Sequence, residues 1–314
     1  MKPDFTGRHV LLTGAASGIG RATALEMARR GARLTLVDID AHGLGDAARA
    51  ARGIGARVEE HVVDLADGPA VEGLARRVLD ENGPVDVLVN NAGVAIAAPF
   101  VRTGASDWAW ILGVNLLGPL RLTRALFPSM LERRSGQVVI VASLAGLIGA
   151  PGMVAYTTTK FALVGFAESL RLEVEDAGIG VTVVCPGYVR TNLARATRYD
   201  NEGFQRFLEG APPWYGMAKE RVASEIVESV LSRRPLVVLG PEKVGWWLKR
   251  VAPEAAFAVA RWAARQAGLW GDVPHERHRQ GGFAESPMER GARPSKGEHA
   301  PPAPIRDPRT AGVS

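Results

Sequence analysis

Three residues in the stretch 143–160, SLAGLIGAPGMVAYTTTK, have side chains able to hold and move a proton: Ser143, Tyr156 and Lys160. A free phenol, near pKa 10, is too basic to be ionised at neutral pH, where a general base works best. The four-residue step from Tyr156 to Lys160 places both side chains on one face of a helix. A cation at about 4 Å, with an effective dielectric of about 20, contributes roughly 4 kcal/mol. That is worth about three pK units and brings the phenol to about 7, with burial working the other way. Ser143, read as the end of a strand, offers a hydroxyl that bonds and polarises a reacting oxygen. The trio suits acid–base transfer, provided a fold gathers it.

The elements that must do so are legible as an alternation. Short, mostly β-branched apolar runs at 9–14, 33–38, 58–65, 85–93, 137–143, 181–187 and 236–240 read as strands covered on both faces. Helical stretches fall between them at 21–31, 71–83, 106–134 and 155–178, the first ending on Gly31 as a left-handed cap. Strand–helix alternation over most of the chain predicts an α/β fold, a parallel sheet wrapped by helices. Asn115, a poor helix former inside 106–134, predicts a local bend there that holds a water.

The first strand runs into TGAASGIG (13–20), where Gly14, Gly18 and Gly20 permit a tight turn close to a pyrophosphate. The N–H groups of the helix that follows favour phosphate charge. Asp38 closes the second strand, where a carboxylate bonds adenosine ribose hydroxyls and repels a 2′-phosphate. With Ser17 before Gly18 and Ile39 after Asp38, no basic residue awaits that phosphate, so NAD is favoured over NADP.

Bulk properties exclude other classes. The 314 residues are 46% hydrophobic and 23% charged, and the net charge of +5 comes largely from arginines that are spread along the chain rather than gathered in blocks as a nucleic-acid footprint requires. A single cysteine, Cys185, rules out an internal disulfide; it sits in an apolar run and reads as a buried, inert thiol. No apolar run approaches the roughly 20 residues of a membrane span, and no signal-peptide pattern opens the chain, so a cytoplasmic protein is expected. His275 and His278 lack a third ligand, and no metal site is expected.

With TGAASGIG (13–20), Asp64, NNAG (90–93), Asn115 in GVNLLG, Ser143, YTTTK (156–160) and PGYVRTN (186–192) in order, the chain resembles the classical short-chain dehydrogenases/reductases over residues 5–241. The resemblance implies a doubly wound Rossmann fold with a seven-stranded parallel sheet, assembled as a homodimer or homotetramer. It implies that Gly14, Ser17, Gly18, Ile19 and Gly20 line the pyrophosphate, Asp38 holds the ribose, and Asp64 and Leu65 flank the adenine. Asn91, Ala92 and Gly93 would pass beside the nicotinamide-side ribose, and Pro186, Gly187, Val189 and Thr191 would position the nicotinamide. Ser143, Tyr156 and Lys160 would be catalytic, Tyr156 and Lys160 also binding the cofactor, with Asn115 supporting a proton-relay water. The implied reaction moves a hydride between NAD and a secondary alcohol or ketone. An NADP-dependent carbonyl reductase is one alternative; a catalytically idle nucleotide-sensing protein is another, although such a protein is expected to have lost Tyr156 or Lys160.

The sequence divides into a catalytic domain at 1–242 with a lid insert at 190–218, a helical extension at 243–272 and a tail at 273–314 expected to be disordered. Apolar and aromatic residues are expected to wall the substrate pocket: Leu144, Leu147, Ile148, Met153, the segment Ala95–Phe100, Tyr188, Leu193, Phe204, Phe207, Leu208, Trp214 and Tyr215. They suggest a bulky hydrophobic alcohol or ketone. The stretch 243–270, aromatic and cationic and broken near Pro253, reads as packing on its own domain, on a partner subunit or on a membrane surface.

Overall fold

In the strand runs alternate residues point to opposite faces, and both sets are apolar, so helices must cover both sides. The structure is a computed structural model describing residues 5–200, 205 and 215–266. Among these, β1 (His9–Thr13), β2 (Arg33–Asp38), β3 (Val58–Val62), β4 (Val87–Asn90), β6 (Gly136–Val141), β7 (Ile179–Pro186) and β9 (Leu236–Leu239) form one sheet in the order β3-β2-β1-β4-β6-β7-β9. Every pairing is parallel. The expected doubly wound sheet of seven strands is the sheet observed.

One face of the sheet, carrying Val10, Leu12, Leu34, Leu36, Val87 and Val89, packs on α1 (Gly18–Arg29), α2 (Ala41–Gly53) and α7 (Lys219–Ser232). The other face, with Leu11, Val37, Leu88, Val138, Ile140 and Val183, packs on α3 (Gly68–Arg77), α5 (Gly118–Arg133) and α6 (Val154–Val174). Chain order reverses direction between β1 and β4, so a crevice opens at the carboxyl edge of those strands, where open α/β sheets bind ligands.

Several expectations are corrected in detail. α1 begins at Gly18 rather than at Arg21, so the glycine turn opens straight onto the helix. The expected single helix 106–134 is three pieces, α4 (Ala105–Leu112), a π-helical turn at Gly113–Leu117 and α5. The fifth long strand ends at Val141, and Ser143 lies beyond it, opening a 3-10 turn at Leu144–Gly146.

A second, two-stranded sheet pairs β5 (Ala95–Ala97) with β8 (Thr197–Tyr199) in parallel. This joins the stretch after β4 to the start of the insert, two of the walls expected around the pocket. Arg198 secures the joint by ion-pairing with Asp107 at 2.6 Å and lying 3.7 Å over the Trp110 ring. Beyond β9, α8 (Lys243–Val251) and α9 (Pro253–Gln266) form the extension, with the expected break before Pro253. Phe204, Phe207, Leu208, Trp214, the histidines His275 and His278 and the tail 273–314 lie outside the described residues.

Candidate active site and nucleotide cradle

Tyr156 and Lys160 stand on the buried side of the first turns of α6, 8% and 3% exposed. Their helical spacing was readable; what holds them was not. Lys160 Nζ donates to the carbonyl of Val141, at the end of β6, at 3.0 Å, and lies 5.7 Å from the Tyr156 ring centroid. Lys160 thus lies beside Tyr156, on the face that the four-residue step predicts. Burial pushes the Tyr156 hydroxyl above its ordinary value, with the Ser143 hydroxyl pulling the other way. Burial also lowers the Lys160 ammonium to about 8, because a dry site disfavours its charge. Ser143 Oγ accepts the backbone N–H of Ala145 at 3.1 Å, so it caps the following turn while facing Tyr156.

Asn115 lies in the π-turn and is fully buried. Its amide nitrogen donates to the Val94 carbonyl at 2.9 Å and its oxygen accepts the Val94 N–H at 2.8 Å. It also donates to Thr159 Oγ1 at 3.1 Å, and Thr159 in turn donates to the carbonyl of Tyr156 at 2.8 Å. The side chain is thus a clamp joining the end of the NNAG loop to the helix that carries Tyr156. Thr159 escaped the sequence reading, although its place three residues after Tyr156 in YTTTK was a signal. Gly93 lies beside the same group: a Cβ there would come within 3.4 Å of Lys160 Nζ and 3.5 Å of Asn115 Oδ1.

The nucleotide end is built from close backbone approaches. Gly14 has φ +70° and a Cβ there would lie 2.7 Å from Asn91 Nδ2, while one on Gly20 would run into the carbonyl of Gly14. Asn91 Nδ2 donates to the Thr13 carbonyl at 2.9 Å, locking NNAG against the turn. Ser17, the N-cap of α1, makes no side-chain bond to the helix, and Ile19 packs against the core. The cradle fits a dinucleotide: the glycines keep the turn bare and helix N–H groups face an anion. Asp38 Oδ2 accepts the Ala16 N–H at 2.9 Å and Oδ1 accepts that of Asp40 at 3.0 Å, so the carboxylate organises the turn as well as ending β2. Asp64 accepts the N–H of Ala66 at 2.8 Å, and Leu65 is buried beside it.

A cavity of about 260 Å³ is lined by Gly18, Tyr188, Arg190, Thr191 and Lys219. Its two cations, Arg190 and Lys219, were not among the expected site residues; they suit an anionic group beside Gly18. A larger cleft of about 360 Å³ lies at the opposite edge of the sheet, near Gly7, Asp86 and Gly136, and contains none of the expected site residues. Val189 bridges to Met217, and Tyr215 donates to Glu242 Oε1 at 2.7 Å while its ring lies 5.4 Å from that of Tyr188. Glu242, also missed in the sequence, sits against Gly187 and Gly240 and holds the Tyr215 hydroxyl.

Comparison with known proteins places these features in context. A family model described as short chain dehydrogenase matches residues 8–202. The probable oxidoreductase EphD of Mycobacterium tuberculosis is 36% identical over 269 residues, 82% of this chain and 45% of that protein, so the chain spans less than half of that relative's length. Human estradiol 17-beta-dehydrogenase 11 is 33% identical over 267 residues, 83% of this chain and 84% of that protein. A short-chain dehydrogenase/reductase structure from Burkholderia phymatum in complex with NAD superimposes with a TM-score of 0.72 at 31% identity, covering 85% of this chain and 96% of that one. Another from Sphingobium yanoikuyae, in complex with NADPH, gives 0.67 at 27% identity over 87% and 98% of the two chains.

Proposed function

The chain belongs to the short-chain dehydrogenase family of oxidoreductases, and on that premise we propose that it transfers a hydride between NAD and a bulky hydrophobic secondary alcohol or its ketone. The observation that carries the proposal is the trio of buried Tyr156, buried Lys160 and half-buried Ser143 at the same sheet edge as the glycine cradle.

In this reading Gly14, Ser17, Gly18, Ile19 and Gly20 hold the pyrophosphate, Asp38 the adenosine ribose and Asp64 with Leu65 the adenine edge. Asn91, Ala92, Gly93 and the segment Pro186–Thr191 hold the nicotinamide half. NAD, when bound, supplies the hydride acceptor. Tyr156 takes the proton of the substrate hydroxyl, and Ser143 holds the same oxygen by a hydrogen bond. Lys160 contributes a positive charge that favours the phenolate, fixed in place by the Val141 carbonyl. Asn115 keeps the π-turn and α6 in register for this exchange.

Asp38 supports NAD over NADP, since its carboxylate closes β2 with no cation next to it in sequence. The apolar Leu147, Ile148, Met153 and Tyr188 support a hydrophobic substrate, which excludes water at the proton-transfer step. The test is turnover of hydrophobic secondary alcohols against polyols, each with NAD or NADP. The expected result is NAD reduction with the hydrophobic set. Tyr156→Phe should lower kcat by about two to four orders of magnitude while leaving NAD affinity nearly unchanged. Faster turnover of polyols, or preference for NADP, overturns the corresponding part of the proposal.

A further inference from the structure

A helix that packs on its own domain turns its apolar stripe inward. In α8 the stripe Val244, Trp247, Leu248 and Val251 follows three-and-four spacing, yet it faces outward, with exposures of 69, 56, 36 and 82%. The inner side of α8 instead carries Gly245, which approaches Ile148, and Lys249, whose Nζ donates to the Leu147 carbonyl at 2.9 Å and lies 4.9 Å over the Phe161 ring. In α9 the exposed apolar residues continue as Phe257, Val259 and Trp262, between 53 and 64% exposed.

Around this surface the charge is one-sided. Residues 243–266 hold five basic side chains, Lys243, Lys249, Arg250, Arg261 and Arg265, against a single acid, Glu254. Their net charge of +4 is most of the +5 of the whole chain. We infer that the outer face of α8 and α9 docks on an anionic lipid surface. Apolar and tryptophan side chains suit the boundary between headgroups and acyl chains, and the basic residues suit the phosphates beside them. A second copy of the chain is the poorer occupant, because a two-fold contact through this face would set the same cations against one another. Docking of this kind leaves α8 between the lipid and Leu147 and Ile148, two of the residues expected to wall the substrate pocket. That corollary rests on the proposed function; the docking does not, and its test needs no turnover.

The test is co-sedimentation of the full chain with vesicles of phosphatidylcholine alone and with vesicles that also contain phosphatidylglycerol, alongside sedimentation analysis without lipid. Binding to the anionic vesicles only, weakened by salt, is the expected result. The triple variant Lys243→Glu, Arg250→Glu, Arg261→Glu should lower the bound fraction by at least about tenfold with no change in oligomeric mass. Trp247→Ala with Trp262→Ala should weaken binding as well. Equal binding to both vesicle types, no binding, or variants that bind like the parent each overturn the inference. A variant that dissociates an oligomer while the parent ignores vesicles assigns the face to a second copy instead.

Discussion

At the scale of single residues, two buried groups carry opposite consequences. Lys160 holds an ammonium that burial lowers from 10.5 to about 8. The folded chain therefore binds fewer protons here than the unfolded chain between those values. The penalty on stability is complete below about 8 and is relieved as pH rises toward 10.5. Lys160→Met should accordingly stabilise the protein at neutral pH by at most about 3 kcal/mol, the lost bond to Val141 offsetting part of it. Denaturant titrations across that pH range should show the gain shrinking as pH rises, while the proposed alcohol oxidation should be lost throughout. Cys185, fully buried in β7, is pushed up to about 12 by that burial. A thiol reagent at neutral pH should leave it unmodified in the native protein and label it once the chain is unfolded.

At the scale of elements, the decisive device is the π-turn at Gly113–Leu117. The sequence hinted at it through Asn115, a weak helix former in the middle of a long helical run. The expectation was a bend holding a water. The structure adds that the side chain is committed to both backbone groups of Val94 and to Thr159, so its contribution is first of all to hold three segments together. Asn115→Leu leaves those groups without their partner. It should cost about 2–4 kcal/mol by chemical denaturation, and turnover should fall with it because α6 loses its register. The serine was misplaced by a related limit. A run such as QVVIVAS reads as strand to its end, whereas the ladder stops at Val141 and Ser143 turns to cap Ala145. β6 ends at this turn although β7 runs on to Pro186, and no apolar pattern records where such a turn begins.

At the scale of the whole molecule, the cofactor reading can be checked by linkage. A ligand that binds only the folded chain stabilises it by about 2.7 kcal/mol at one hundred times its Kd. Thermal unfolding should therefore shift upward with NAD and much less with the same concentration of NADP. The layered α/β order, the glycine turn and the Tyr156–Lys160 pair were all legible in the sequence. Each rests on local rules: apolar periodicity, the steric freedom of glycine, and the four-residue step of a helix. The tertiary structure alone decided the pairing of β5 with β8, the hold of Val141 on Lys160 and the seat of Glu242 on Gly187. It also decided that the stripe of α8 faces away from the domain. These join residues far apart in the chain, and their energies depend on burial and distance, which exist only once the chain has folded.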